Sequence, residues 1–318
     1  MLKGDSPHHV RAGLKVTGRL DLRQAASLAA AGSCVALVRT REKLGLPAAV
    51  ATACAFATVP VLAAGFERSR QRDGVVWAAQ MWAYKNAFEI PNDDETRLRG
   101  RAHFDYPMAI DARLGGGIPP GQRLQRRLRR RGELTRLDKA ASFFYWTWEI
   151  EPHLVMAWLR WRRPEIFASA AGRLAATFDA TLLGYWALPT APPWWVSEKL
   201  GRMNGDVRRV MSAVASWLKR EPNPTEGEHE MGANPFAAMP SDHFASAATT
   251  AMLLSELGPL TGALGWGYAL ALACALVYLG EHYVIDELAG LALALTVNLA
   301  RRPLERAADA VLSLGAAR

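Results

Sequence analysis

The sequence predicts an all-α membrane protein, a polytopic bundle of spanning helices with an additional amphipathic helix at the membrane interface. Two observations predict this class. Residues 46–66 and residues 257–280 contain no charged residue, and each run reaches the roughly 20 apolar residues that cross a bilayer core as a helix. Soluble helices of that length normally carry a polar face. We therefore interpret both runs as membrane spans.

Weaker apolar segments complete the bundle, and they are either short or interrupted by ionisable residues. They are residues 25–38, 143–161, 174–188, 244–255 and 288–300. The segment 143–161 contains Glu149, Glu151 and His153. These residues indicate either a polar pocket inside the bundle or a helix that starts within the interface. Together the segments predict six or seven spans.

Polar stretches divide the chain into four predicted parts. These are an N-terminal tail with one or two membrane helices (1–70), a basic extramembrane segment (71–138), a membrane bundle (139–300) and a C-terminal tail (301–318). In the second part, residues 123–131 are rich in arginine and carry Leu124 and Leu128 at helical spacing. This pattern predicts either an amphipathic helix on the membrane surface or a solvated basic linker.

The charge balance favours a negatively charged partner. The chain has 38 basic and 30 acidic residues, a net charge of +8. It contains no signature of a nucleic-acid-binding motif, so anionic lipid headgroups are the expected partner and nucleic acid is not. Cys34, Cys54 and Cys274 lie in apolar runs without metal-ligand spacing. We expect them to be free thiols, and we expect no metal and no cofactor.

The first segment that indicates chemistry, residues 234–243, leads directly into an apolar run. Ser241 is a natural helix N-cap, and the backbone N–H groups that follow it form a site that attracts anions, phosphate in particular. His243 would lie on the first turn, beside the bound anion. The alternative is a capped helix with an incidental histidine.

The second segment, residues 278–286, contains a histidine and an aspartate four residues apart. On a helix, His282 and Asp286 would share a face and form a hydrogen bond. The carboxylate would fix the imidazole tautomer and leave the other ring nitrogen free to attack or to take a proton. If the flanking apolar runs form a hairpin, both histidines and residues 188–195 meet at one membrane face.

These motifs are similar to those of a known family. Residues 238–243 and 280–290 resemble the second and third signatures of the type 2 phosphatidic acid phosphatase superfamily. Residues 188–193 and the His-Tyr-x-x-Asp form at 282–286 resemble its branch that contains inositol phosphorylceramide synthases. The similarity runs from about residue 110 to residue 300. It implies a six-helix membrane core, with one further N-terminal apolar helix in this chain, and metal-independent phosphoryl transfer from a lipid or polyprenyl phosphate.

The resemblance also implies roles for individual residues. His282 would attack phosphorus to give a phosphohistidine, and Asp286 would orient and polarise it. His243 would protonate the leaving oxygen, while Ser241 and the neighbouring backbone N–H groups would hold phosphate oxygens. Either water or an alcohol such as inositol would resolve the intermediate, and the motifs do not distinguish hydrolysis from transfer.

The sequence departs from the family pattern in its cations. Many members carry an arginine where this chain has Leu276, and the lysine-to-Arg-Pro signature is not recognisable. Since phosphoryl transfer needs positive charge, we predict that Lys199 and Arg202 supply it, whereas Arg173 is expected at the far end of its span. Asp242 is predicted at the substrate, where it would hold a cation or help to admit a hydroxyl acceptor, or would mark an impaired member.

Two other classes of protein remain open from the sequence. One is a metal-dependent membrane hydrolase, whose ligands would be Asp242, His243, Glu281, His282 and Asp286. The other is a non-catalytic membrane protein that binds lipid in the same pocket.

Orientation follows from the basic residues in short segments expected opposite the site. These are Arg39, Arg41, Lys43, Arg160, Arg162, Arg163, Arg301 and Arg302. The positive-inside rule makes such segments cytoplasmic. We therefore predict a cell-membrane protein with its active site on the extracytoplasmic face.

Overall fold

The computed structural model describes residues 20–130, 133–220 and 234–315. The tail up to residue 19, Arg131 of the basic run, residues 221–233 and the last three residues lie outside the described part. Within it, helices dominate, and the only β contacts are isolated bridges that join Thr190 to His103 and to Ala237. The all-α class predicted from the sequence is confirmed.

The first eight helices are α1 (Leu22–Arg39), α2 (Arg41–Leu44), α3 (Ala48–Gly65), α4 (Arg70–Glu89), α5 (Glu95–Arg101), α6 (Asp105–Leu114), α7 (Pro120–Leu128) and α8 (Arg136–Trp148). The second eight are α9 (Glu151–Arg162), α10 (Phe167–Ala187), α11 (Pro193–Leu200), α12 (Val210–Lys219), α13 (Asp242–Ser255), α14 (Pro259–Leu279), α15 (Val284–Leu299) and α16 (Arg301–Leu312). Short 3₁₀ turns occur at Ile90–Asp94, Pro164–Ile166 and Met203–Gly205.

Three helical stretches of the described chain are long and apolar enough to cross a membrane. They are Ala48–Gly65, Pro164–Ala187 and Pro259–Leu279. The first and third correspond to the two uncharged runs of the sequence. The shorter helices α13 and α15 complete a compact group with α10 and α14. We call the end of this group where α13 and α15 begin the upper end, and the opposite end the lower end.

Helices α13 and α14 form the predicted hairpin, and small residues allow their close approach. A Cβ atom at Gly265 would lie 2.9 Å from the Cα of Ala251, and one at Gly262 would lie 2.7 Å from the Ser255 hydroxyl oxygen. Both glycines are therefore required by packing. The hairpin returns the chain to the upper end, so that both histidines can lie there.

The segment 143–161, predicted as one span, consists of two helices instead. Helix α8 ends at Trp148, and α9 begins at Glu151 with Pro152 in its first turn. Proline has no N–H group to continue a preceding helix, but it is tolerated in the first turn of a new one. The break therefore follows directly from Pro152.

Helix α4 lies in the segment 71–138 that the charged residues predict to be extramembrane, yet it packs along α3 and α10. At its lower end, the buried Arg72 donates to the carbonyl groups of Ala63 and Leu312. At its upper end, the Tyr84 hydroxyl donates to Asp242 on α13. The polar side chains of α4 therefore have partners within the bundle.

A buried arginine joins three helices at the lower end. Arg173 of α10 is 1% exposed, and its guanidinium lies 2.7 Å from Glu256 and 2.9 Å from Asn298. Glu256 directly follows α13, and Asn298 lies near the end of α15. The prediction that Arg173 lies at the far end of its span from the site is confirmed.

One basic residue predicted opposite the site lies at the upper end instead. Arg41 was expected opposite the site, but it pairs with Asp93 at 2.6 Å, immediately after the upper end of α4. This position follows from the direction of α1, which runs from the lower end to the upper end. Near its start, the Ser27 hydroxyl donates to the Val61 carbonyl, near the lower end of α3. Arg160 does lie at the lower end, where it pairs with Asp73 at 2.9 Å.

Candidate active site

His243 stands on the first turn of α13 at the upper end of the bundle. Ser241 caps this helix, as predicted, and its hydroxyl accepts the backbone N–H of Phe244 at 3.3 Å. The Ser241 N–H in turn donates to the Asp286 carbonyl at 3.0 Å, and a Cβ atom at Gly290 would lie 2.6 Å from the Ser241 carbonyl oxygen. These contacts fix α13 against α15.

His282 lies in the turn between α14 and α15, not on a helix as predicted. Gly280 ends α14 with a φ of 80°, in the left-handed region that glycine adopts readily. Tyr283 then caps α15, because the Asp286 carboxylate accepts the Tyr283 N–H at 2.8 Å. Asp286 therefore stabilises the start of α15 in addition to its contact with His282.

The tautomer of His282 follows from its neighbours. Its Nδ1 lies 2.9 Å from the Ala238 carbonyl oxygen and 3.5 Å from Asp286 Oδ2. A carbonyl oxygen can only accept, so Nδ1 carries the hydrogen and the carbonyl, not the carboxylate, is the closer partner. The predicted carboxylate hydrogen bond is thus replaced by a close electrostatic contact. The other nitrogen, Nε2, remains for chemistry.

The two histidines meet directly. His282 Nε2 lies 3.1 Å from His243 Nδ1, and the ring centroids are 5.2 Å apart. The His243 ring packs against Tyr145 and Trp148, with centroid distances of 5.0 and 4.1 Å. The predicted convergence of the two imidazoles at one end of the bundle is confirmed.

The bridges at Thr190 explain how the Ala238 carbonyl is placed. Thr190 N–H donates to the Phe236 carbonyl at 2.7 Å, and Ala238 N–H donates to the Thr190 carbonyl at 3.1 Å. Slightly further along the chain, Trp194 N–H donates to the Gly280 carbonyl at 3.0 Å. The segment 188–195 therefore reaches the upper end, as predicted, and fixes both loops that surround His282.

Carboxylates surround His282 and influence its charge. Burial lowers the pKa of His282, but Asp286, Glu287 and Glu281 raise that pKa more strongly, so the net shift is upward. The environment thus stabilises positive charge on this ring, which also develops when a phosphoryl group is transferred to an imidazole nitrogen.

A cavity of about 190 Å³ opens beside the histidine pair, and two cationic residues line it. One is Lys199, which the sequence predicts for this role. The other is Arg209, whose Nε lies 3.0 Å from Glu281 and whose guanidinium stacks over the Trp194 ring at 4.5 Å. An anion that enters this cavity would therefore meet the histidines and both cations.

Three residues predicted to bind substrate have side chains elsewhere. Arg202 pairs with Asp105 and lines a different cavity. Asp242 is 3% exposed and accepts the Tyr84 hydroxyl, because α4 packs behind α13. The Ser241 hydroxyl caps α13 instead of facing the cavity.

Sequence reasoning missed the residues that support the site from α6 and α7. The Asp111 carboxylate accepts the backbone N–H groups of Val284 and Ile285 at 3.1 and 2.9 Å, at the N-terminus of α15. The Gln125 amide donates to the carbonyls of Arg208 and Tyr278 and accepts the Arg208 N–H, all within 2.9 Å. Neither residue belongs to a recognisable motif, so only the fold identifies them.

Helix α7 therefore differs in part from the predicted interfacial helix. Its arginines, such as Arg127, are exposed, but Gln122 and Gln125 are buried against the loop that precedes Arg209. The exposed face still suits a charged membrane surface. The buried face braces the site.

Fold and site define a helical membrane protein with a histidine pair and two cations around one small cavity. The family model described as the PAP2 superfamily matches residues 108–300, more than half of the 318 residues. The chain belongs to the PAP2 superfamily, a helical membrane fold whose members are phosphatases or phosphotransferases. The family prediction is confirmed at this level. No curated protein and no solved structure shows a significant match.

The positions of these side chains can also be compared with those that a metal-dependent hydrolase would require. Over the residues that the structure describes, no group of three or more His, Cys, Asp and Glu side chains is arranged to hold a metal ion. Of the five ligands that this alternative requires, Asp242 instead bonds to Tyr84, and Glu281 pairs with Arg209.

Proposed function

We propose that this protein is a membrane lipid-phosphate phosphatase or phosphotransferase that acts through a phosphohistidine on His282. The contact of 3.1 Å between His282 Nε2 and His243 Nδ1, beside a cavity with two cations, is the observation that carries the proposal. Such a pair supplies a nucleophile and a proton donor at one point.

In the first step, the lone pair of His282 Nε2 attacks phosphorus and the bond from phosphorus to the lipid oxygen breaks. His243 gives a proton to that oxygen, so the lipid leaves as an alcohol. In the second step, His243 takes a proton from water or from an acceptor alcohol, whose oxygen attacks phosphorus and releases His282. Asp286 and the Ala238 carbonyl hold the Nδ1 hydrogen of His282 throughout.

Substrate binding must separate the two rings. Reacting atoms in a productive complex lie about 3–3.5 Å apart, so a phosphorus atom does not fit between nitrogens that are 3.1 Å apart. The His243 ring is the part that turns, because the His282 ring is held by Ala238 and Asp286. His243 Nε2 has no hydrogen-bond partner among the described residues.

Arg209 and Lys199 take the place of the cations of the family pattern that this chain lacks. In this proposal they balance the charge on the phosphoryl oxygens, as phosphoryl transfer requires. Leu276, where many relatives have an arginine, is fully buried in α14. Its carbonyl oxygen instead accepts the backbone N–H groups of Glu281 and His282, at 3.1 and 3.4 Å.

The substrate proposed is a lipid or polyprenyl phosphate. The form of residues 188–193 and 282–286 supports a phosphoinositol-type headgroup, with an alcohol rather than water as a possible acceptor. Incubation of the purified protein with a panel of lipid phosphates and phosphoinositides, followed by measurement of free phosphate and of new lipids, distinguishes the two reactions.

The test of the mechanism is His282→Ala compared with His153→Ala, a histidine of α9 that bonds to Trp77 instead. His282→Ala should abolish turnover while the protein still reaches the membrane, and His153→Ala should remain active. Labelled substrate should trap an acid-labile phosphoenzyme in the wild type, and vanadate should inhibit it. Full activity of His282→Ala would refute the assignment.

We further propose that the site faces the extracytoplasmic side of the cell membrane. The basic residues of α9 and α16 at the lower end, such as Arg160 and Arg302, support this orientation by the positive-inside rule. In a background without native cysteines, Leu218→Cys should react with an impermeant thiol reagent in intact cells, and Arg302→Cys should not. The reverse pattern would place the site in the cytoplasm.

A further inference from the structure

The break between α8 and α9 lies at a depth inside the membrane. Residues 149–150 separate the two helices, and contacts on either side fix their height. Before the break, the Trp148 indole donates to Ser246, one turn below the start of α13. After it, Arg160 pairs with Asp73 at the lower end of the bundle. The break therefore lies between the two ends of the bundle.

Two ionisable side chains are exposed at this depth. Glu149 belongs to the break, and His153 lies one turn further along the chain, on α9. Ionisable groups that face lipid are costly, and irregular backbone at membrane depth is tolerated only where protein or water covers it. This face therefore requires a cover when the protein is in the membrane.

The hydrogen bond of His153 shows what the face offers to that cover. Its Nδ1 lies 3.2 Å from the indole nitrogen of Trp77, which can only donate. Nδ1 therefore accepts, and the ring hydrogen is on Nε2. Within the described part of the chain, neither this N–H group nor the Glu149 carboxylate has a hydrogen-bond or ion-pair partner. The face thus presents one donor and one acceptor.

An apolar stripe continues this face toward the lower end. Its side chains follow one another at steps of three or four residues, so they share one side of α9. They are Ile150, Leu154, Trp158 and Trp161, each at least 42% exposed. Because lipid covers apolar side chains as well as protein does, the polar donor and acceptor beside the stripe decide which partner is preferred.

We propose that this face is a dimer interface between two copies of the chain, in which Glu149 of each copy accepts the Nε2 hydrogen of His153 of the other. In a twofold interface, residue i contacts residue j and residue j contacts residue i. A face that carries one donor and one acceptor is therefore complementary to itself. Two charge-assisted hydrogen bonds form, and the apolar stripes pack against each other beside them.

The interface is independent of the proposed chemistry. Each copy has its own histidine pair and its own cavity, and both copies insert in the same direction, so the two sites face the same side of the membrane. Separation of the copies should leave phosphate release unchanged, in agreement with the activity expected for His153→Ala.

Cross-linking in native membranes tests the position of the interface. In a background without native cysteines, a bismaleimide should join Leu154→Cys into a dimer. The control is Leu264→Cys on α14, which is 66% exposed and lies outside this face. Its yield should be at least about fivefold lower, because only residues within an interface have a high effective concentration. Equal yields, or cross-linking of Leu154→Cys mainly to another protein, would overturn the proposal.

Charge complementation tests the pairing itself. In a homodimer, Glu149→Lys places two donors opposite each other, and His153→Glu places two carboxylates there. Each variant should self-associate roughly tenfold more weakly than the wild type, because both polar contacts are lost. When the two variants are expressed together under different tags, opposite charges meet at both contacts. Mixed dimers should therefore form at the wild-type level, measured by co-precipitation.

The outcomes distinguish this interface from a pair within one chain. Glu149 is near enough to His153 of its own chain for an electrostatic interaction, but such a pair would gain nothing from co-expression. Mixed association no stronger than self-association would refute the dimer. Glu165→Lys, on the exposed turn after α9, is the matched charge control and should not alter association. If gel filtration shows that a charged variant does not fold, the cross-linking of Leu154→Cys decides.

Discussion

Replacement of Arg209 by alanine tests which cation holds the phosphoryl group. The Arg209 side chain is 15% exposed and lines the cavity of the two histidines. A unit charge about 4 Å from a phosphoryl oxygen contributes about 4 kcal/mol at an effective dielectric constant of about 20. Removal of one such group from an active site commonly lowers kcat by about 10²–10³. We expect kcat/KM for lipid phosphate hydrolysis to fall by that factor in Arg209→Ala.

The pairing of Arg209 with Glu281 complicates this variant, because alanine leaves the Glu281 carboxylate in the cavity, where it repels phosphate. The double variant Arg209→Ala with Glu281→Gln separates the two effects. If Arg209 binds phosphate, the double variant should stay at least about 30-fold below the wild type, a loss that we assign to the missing cation.

The assay is phosphate release from lipid phosphate in mixed micelles, with detergent-purified protein. Arg202→Ala is the comparison, since Arg202 pairs with Asp105 outside the cavity, and it should retain activity. Recovery of the double variant to the wild-type rate would show that Arg209 only neutralises Glu281. In that case Lys199 would be the remaining candidate for the cation that binds the phosphoryl group.

Three further predictions concern the support of the site, the bundle and the metal. Gln125→Leu should lower kcat about tenfold with little change in KM, because it loses two hydrogen bonds to Arg208, in the loop before Arg209, and one to the Tyr278 carbonyl on α14. Arg127→Ala on the same helix should not lower kcat, and unchanged kcat in Gln125→Leu would contradict its positioning role. Arg173→Ala should lower the free energy of unfolding in detergent by about 2 kcal/mol. This is less than the loss for a fully buried ion pair, because the Glu256 side chain is half exposed. An unchanged melting temperature would refute this prediction. Activity should survive EDTA, and loss that is restored by a divalent cation would favour the metal-dependent alternative.

Much of the site could be predicted from the sequence because its components are local. Ser241 caps α13 through a hydrogen bond to a residue three positions away, and the polar capping residue followed by an apolar run is readable from the sequence alone. The same is true of the uncharged runs that become α3 and α14, since the bilayer core requires about 20 apolar residues from any spanning helix. These features determined the class of the protein and the convergence of its histidines.

Helix α4 shows why other parts could not be predicted. Its Arg72, Gln80 and Tyr84 resemble residues of a solvated segment, yet their partners lie on α3, α10, α13 and α16. A polar residue is compatible with a buried position only when its partner is present. In this chain those partners are between 9 and 240 positions away in sequence, so local pattern carries no information about them.

Residue pattern alone was enough to predict a helical membrane protein of the PAP2 superfamily, and it pointed to His243, His282 and Asp286 as candidate site residues. Which groups surround these residues became visible only from the packing of the helices. It brought Arg209 into the cavity and turned Arg202 and Asp242 away from it. The physical reason is that charge balance and hydrogen bonding in a buried site are set by distances in space, which the packing of the helices alone fixes.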